Sequence, residues 1–166
     1  MRRTGCLAAL AAGLCLAPAA AAHPGAAPWE ADGRPGRDNC ATCHFEAEPV
    51  RGGAALTLGG LPAQIEPAKV YELTLTLKHD GMKVAGFLVS AAGGRFEPGE
   101  GVEVQADAAR STLAKAKQGD VATWRLWWRA PEDVLREAAF YLSANAGNDD
   151  QSPFGDVIYL DVVKAR

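Results

Sequence analysis

The residues that hold metals and carry redox chemistry are scarce in this chain, so the few present stand out. It has 4 cysteines, 3 histidines and 2 methionines among 166 residues. There is no second Cys-x-x-Cys and no His-x-x-x-His, which removes the four-ligand arrangement of a structural zinc site. No Ser/His/Asp order, paired-carboxylate motif or nucleotide-binding glycine loop is present, so an enzyme is the class with least support. No apolar run reaches the length, about 18 residues, that a membrane-crossing helix needs. Basic residues are outnumbered, 17 Lys and Arg against 20 Asp and Glu, which argues against nucleic acid and anionic membrane as partners.

What is present begins with an export signal. Arg2 and Arg3 precede an apolar run from Leu7 to Leu16, and Pro18-Ala19-Ala20-Ala21-Ala22 supplies the small-x-small pattern read by signal peptidase. Residues 1–22 are therefore read as a signal peptide, with His23 the first residue of the mature chain. Cys15 follows Leu14 and Cys6 lies too early, so neither fits a lipidation site. The expected location is periplasmic or extracellular, with no membrane span in the mature form. Removal of 1–22 leaves Cys40 and Cys43 as the only cysteines, and 15 basic against 20 acidic residues, a net charge of about −5.

Residues 23–53 are rich in Pro, Gly, Ala and charge at their start and read as an extended arm. From residue 54 to 166 the pattern is that of strands. Tyr71–Lys78 alternates apolar and polar residues, and Trp124–Arg129 does so again before Pro131. Val84–Ser90 is more continuously apolar and contains Gly86; Ala138–Ala144 and Val157–Val163 complete the strong segments. Ala54–Leu58, Val102–Gln105 and Arg110–Lys117 are weaker, the last with helical character at Ala114–Lys117. Gly59-Gly60, Asp80-Gly81, Gly93-Gly94, Pro98-Gly99 and Gly119-Asp120 punctuate them as turns. Seven or eight short strands without a long amphipathic helix predict an all-β domain, an immunoglobulin-like antiparallel β-sandwich preceded by the arm.

The arm carries the most specific motif, Cys40-Ala41-Thr42-Cys43-His44. Two thiols at this spacing can form thioethers with the vinyl groups of one haem c, and the histidine directly after the second can ligate the iron. The competing reading is a local disulfide or redox dithiol, though such dithiols usually open a helix after a strand. If haem is attached, the distal ligand is sought among few residues. Met82, the only methionine of the mature chain, and His79 share the turn Lys78-His79-Asp80-Gly81-Met82-Lys83. Methionine would raise the reduction potential, histidine lower it, and an open position would admit a small ligand. The competing reading of each is a plain residue at the strand end or turn.

Three further features carry alternative readings. Mature His23 would present an α-amino group beside an imidazole, a pair able to chelate copper. Asn145, Asn148, Asp149, Asp150 and Asp156 cluster near the end of the chain without the spacing of a calcium-binding EF-hand loop, and read better as a solvated turn. In Trp124-Arg125-Leu126-Trp127-Trp128-Arg129 the first and last tryptophans share the core face; Trp127, beside Arg125 and Arg129, faces the other way.

In order along the chain, Gly33-Arg34-Pro35-Gly36 before Cys40–His44, then Tyr71–Leu75, Gly81–Phe87, Trp128–Pro131 and Phe140-Tyr141 through Asn145 to Gly155-Asp156, form a recognisable series. The chain resembles the bacterial reeler-like domains that open with a Cys-x-x-Cys motif, also described as choice-of-anchor or NxxGxCxxC proteins. Gly33 stands where the family's Asn would lie. The resemblance implies an immunoglobulin-like sandwich at the cell surface or in the periplasm, and implies no substrate. The expectation is an exported monohaem cytochrome c that transfers electrons to or from a basic redox protein. The alternatives are a surface binding or adhesion module with a local disulfide, and a periplasmic copper-binding protein using His23.

Overall fold

A computed structural model of the chain describes residues 26–112, 115–116, 120–133 and 136–166. Residues 1–22, read above as a signal peptide, and His23 lie outside the described residues.

The described residues form two packed sheets. The strands are β1 (Val50–Arg51), β2 (Leu56–Gly59), β3 (Val70–Lys78), β4 (Val84–Ala92), β5 (Arg95–Glu97), β6 (Val102–Gln105), β7 (Ala108–Ser111), β8 (Lys115–Ala116), β9 (Val121–Arg129), β10 (Ala138–Gly147) and β11 (Val157–Ala165). One sheet runs β2-β3-β9-β5; the larger runs β1-β11-β10-β4-β7-β6, with β8 also paired to β4. The pairs are antiparallel except β1 with β11, where Val50 meets Tyr159 and Arg51 meets Leu160. This is the expected antiparallel β-sandwich.

Alternation in the sequence becomes the core. Tyr71, Leu73, Leu75 and Leu77 of β3 face inward with Ala122, Trp124, Leu126 and Trp128 of β9. From the other sheet come Ala85, Phe87, Val89 and Ala91 of β4 and Ala138, Phe140, Leu142, Ala144 and Ala146 of β10. Trp127, on the opposite face of β9, lies against the backbone of Gly99, while Arg129 beside it donates to Glu97 Oε1 at 2.7 Å.

The run Val84–Ser90 is apolar on both faces for a tertiary reason. The arm lies across the outer face of the larger sheet: Ser90 Oγ donates to Asp32 O at 2.9 Å, Arg34 Nη2 donates to Ala91 O at 3.0 Å, and Cys40 N donates to Ser143 Oγ at 3.2 Å. Leu88, Ser90 and Ser143, all on that outer face, are consequently as buried as the core. The arm is thus a third layer over part of the sheet, and its end, β1, covers the edge of β11. An unpaired strand edge there would invite association.

Candidate functional site

The Cys-x-x-Cys-His segment is shaped by its own sequence. Cys40–Thr42 form one turn of 3-10 helix, and Asn39 caps it: Asn39 Oδ1 accepts from Ala41 N at 2.9 Å while Thr42 Oγ1 accepts from Asn39 N at 3.3 Å. Asparagine suits this position because its side chain meets amides the turn leaves unpaired. Cys43 N and His44 N both donate to Cys40 O, at 3.3 and 3.1 Å, so the backbone doubles back and brings the two cysteines and the histidine to one side. Both cysteines are free thiols. Burial, then the neighbouring Cys43 thiol, holds the Cys40 thiol above its ordinary value, against the opposing hydrogen bond from Ser143. A redox dithiol of the thioredoxin kind has the opposite bias, towards thiolate.

His44 is gripped from behind. Its Nδ1 lies 2.8 Å from Asp156 Oδ2, with the Asp156 side chain only 6% exposed. Asn145 Nδ2 donates to the same oxygen at 2.9 Å, and Asn148 N donates to Asp156 Oδ1 at 3.1 Å. A carboxylate on Nδ1 fixes the imidazole in the tautomer whose Nε2 carries the free lone pair, the arrangement usual for a metal-ligating histidine.

Cys40, Cys43 and His44 border a cleft of about 190 Å³ on the outer face of the larger sheet, between the arm and the loop that follows β10. Ala26, Ala27, Pro28 and Ala31 form one wall, and Val84, Gly86 and Phe87 of β4 its floor. Gly86 sits opposite Asn145 in the sheet, and a Cβ there would come within 3.3 Å of Ser111 Oγ. A larger residue would fill the floor and press on the Ser111 hydroxyl that accepts from Phe87 N at 3.1 Å.

The far rim is the loop Asn148–Gly155. It is held by side-chain turns: Asp150 N to Asn148 Oδ1 at 3.1 Å, Ser152 N to Asp150 Oδ1 at 2.8 Å and Phe154 N to Ser152 Oγ at 3.2 Å. Gly155 N donates to Glu46 Oε2, and Phe45 meets Phe154 edge-on at 5.9 Å, so the loop is tied to the residues just after His44. Among the described residues no group of three or more His, Cys, Asp or Glu side chains is arranged to hold a metal ion. The solvated turn expected here is real for Asp149 and Asp150, but Asp156 departs from it: it is buried, and it supports His44.

The two distal candidates are not brought to this cleft. Met82 is 1% exposed and packed in the core, because Gly81 turns the chain so that its thioether enters the sandwich. His79 shares a 2.7 Å hydrogen bond between Nδ1 and the Tyr159 hydroxyl. Neither lines the cleft. Burial, then the charge of Asp80, raises Tyr159 above its ordinary value. The unfolded chain loses this proton first, so the stability it represents is intact below about pH 10 and is lost as pH rises through the raised value. Tyr159→Phe is expected to flatten the fall in melting temperature above about pH 10. At neutral pH it costs about 0.5–1.5 kcal/mol for the lost hydrogen bond. Melting curves of both proteins across that range check it.

Sequence reasoning found Cys40, Cys43 and His44 but missed what supports them. Asn39 left a signal that was not read, an asparagine directly before the turn it caps. Asp156, Asn145, Ser143 and Gly86 were not legible, since they reach the site from strands, or for Asp156 the loop just before one, over 40 residues away in sequence.

No family model matches the chain, and no curated protein does. Solved structures do. The human F-spondin reeler domain superposes with a TM-score of 0.55 at 15% identity, over 73% of this chain and 96% of that one. The fold is reeler-like. A second structure, the Reelin-N domain of F-spondin, agrees, with a TM-score of 0.51 at 16% identity over 76% of this chain and 97% of that one. At these identities the likeness is one of fold, consistent with the family resemblance in the sequence. Among the described residues no helix is long and apolar enough to cross a membrane.

Proposed function

We propose that this chain is an exported monohaem c-type cytochrome acting in electron transfer, with Cys40 and Cys43 forming the thioethers and His44 the proximal iron ligand. The observation that carries the reading is the contact of His44 Nδ1 with buried Asp156 at 2.8 Å, because it readies Nε2 for a metal and serves no evident purpose for an incidental histidine. The donor chemistry fits haem c: two free thiols on one turn, an oriented imidazole after the second, and an apolar wall alongside. The cleft is smaller than the 300 Å³ or so at which pockets begin to enclose a whole cofactor. Thioether bonds make full enclosure unnecessary for retention. When bound, the haem would supply one-electron redox chemistry.

The chain's own residues would then set the terms. Asn39 and Thr42 hold the turn, Asp156 orients His44 and raises its basicity, and the acidic surface favours a basic redox partner. The export signal in residues 1–22 fits this reading, since haem attachment of this kind takes place outside the bacterial cytoplasm.

The test is expression of the full chain with the cytochrome c maturation machinery, followed by a haem stain on a denaturing gel. Covalent haem is expected in the unaltered protein and none in the Cys40→Ala, Cys43→Ala double variant. A folded, unstained protein with a Cys40–Cys43 disulfide would overturn the reading in favour of a binding or adhesion module.

A further inference from the structure

Resting on the haem reading above, we infer that Phe45 and Phe154, with the carboxylates around them, form the surface on which a basic redox protein docks to exchange electrons with this chain. Phe45 is 54% exposed and Phe154 51%, and they are the only exposed aromatic side chains among the described residues. The two rings meet edge-on at 5.9 Å, so they form one patch. An apolar side chain exposed by itself is ordinary; two aromatic rings gathered in water beside the motif mark a contact surface. Phe45 is the residue directly after His44. Neither ring lines the cleft, so whatever fills the cleft does not account for them.

Charge selects the partner. Glu46 and Glu48 follow Phe45, Asp149 and Asp150 lie in the loop that carries Phe154, and residues 45–48 and 148–155 contain no Lys or Arg. All four carboxylates belong to exposed residues, and no described cation is paired with any of them. Elsewhere on the surface Glu97, Glu103 and Glu137 are matched by Arg129, Arg110 and Lys164. Four unmatched carboxylates around an apolar centre attract a surface whose own apolar patch is ringed by Lys or Arg. The patch is also preformed. Gly155 N donates to Glu46 Oε2, and the loop is held by its side-chain turns, so little ordering entropy opposes docking. A patch this small suits a transient encounter, the kind electron exchange uses. One electron passes: the iron of one protein is oxidised as the centre of the other is reduced, in the direction their potentials set.

The experiment uses the full haem-loaded chain, with a lysine-rich cytochrome c as the probe. Electron exchange is followed by stopped flow between about 0.01 and about 0.15 M salt. The proteins are the unaltered chain and the double variants Phe45→Ala, Phe154→Ala and Glu48→Gln, Asp149→Asn, with ferricyanide as a small oxidant for comparison. Glu46 and Asp150, which hold the loop, are left alone, and asparagine tolerates the φ of +63° at position 149. Exchange with the unaltered chain is expected to slow steeply as salt rises. The charge variant is expected to be slower at low salt and to flatten that dependence. The phenylalanine variant is expected to be slower by about tenfold at every salt concentration, with the visible spectrum and the ferricyanide rate unchanged. Both variants exchanging as fast as the unaltered chain overturns the proposal, as does a rate that rises with salt. Amide shifts mapped on adding the reduced probe are expected to centre on residues 45–48 and 148–155; shifts centred elsewhere overturn the surface. Those results leave haem attachment standing. Absence of covalent haem from every preparation removes the haem reading, and the electron exchange with it whatever the shift map shows.

Discussion

Trp128→Ala is expected to lower the unfolding free energy by about 3–5 kcal/mol, a large share of the 5–15 kcal/mol that holds most domains folded. Trp128 is completely buried at the centre of the sandwich. Its ring stacks on Tyr71 at 5.8 Å and meets Phe140 edge-on at 5.1 Å, which joins the two sheets through three aromatic rings. Its Nε1 donates to Gly93 O at 3.1 Å, and the next residue, Gly94, has φ +72°. A Cβ on Gly94 would stand 2.7 Å from the indole and 2.4 Å from Arg129 O. The turn and the tryptophan are therefore built around each other. Truncation removes apolar burial, leaves a cavity and orphans the Gly93 carbonyl together. Denaturant unfolding is the check, with a fall in midpoint at unchanged slope. Trp128→Phe retains most of the packing and should lose less than half as much. Equal losses in the two variants would place the effect in the indole hydrogen bond instead.

The second large effect is expected at Asp156. Asp156→Ala strips the partner from three donors at once: His44 Nδ1, Asn145 Nδ2 and Asn148 N. A buried donor left unmet costs about 1–3 kcal/mol, and water entering from the cleft limits the sum, so a loss of about 2–4 kcal/mol is expected. Asp156→Asn keeps an acceptor and the shape, and should cost clearly less. In the haem-loaded protein both variants are expected to raise the reduction potential, because a carboxylate on Nδ1 makes the imidazole a stronger donor and favours oxidised iron. The pair separates support from electrostatics. Melting curves report the first and a redox titration the second. If the potential stays put while stability falls, Asp156 is a structural anchor alone.

Much of the fold was legible because burial on one face of a strand leaves a period-2 record in the chain. Tyr71–Lys78 and Trp124–Arg129 were read from that record, and they lie inside β3 and β9. Both were extended by the structure: β9 begins at Val121, where pairing with Lys78 continues beyond the strongest alternation. The short strands left no such record. Arg95–Glu97 and Val50–Arg51 are too brief for a period to show, and they exist because an edge of β9 or β11 is available to pair with. Val84–Ser90 reads in sequence only as a more continuous apolar run, and from Phe87 on both of its faces are buried. Only the structure says what covers the second face: the arm.

The chain by itself determined the motif and the sandwich behind it, since spacing and alternation are written between neighbours in sequence. Tertiary structure decided which carboxylate stands behind His44, that Met82 belongs to the core and His79 to Tyr159, and where the arm comes to rest. These depend on register between strands far apart in sequence, and a one-residue shift in that register would turn Asn145 or Gly86 to the opposite face. The Cys-x-x-Cys-His motif could be found in the chain; the site around it is a product of how the sheets align.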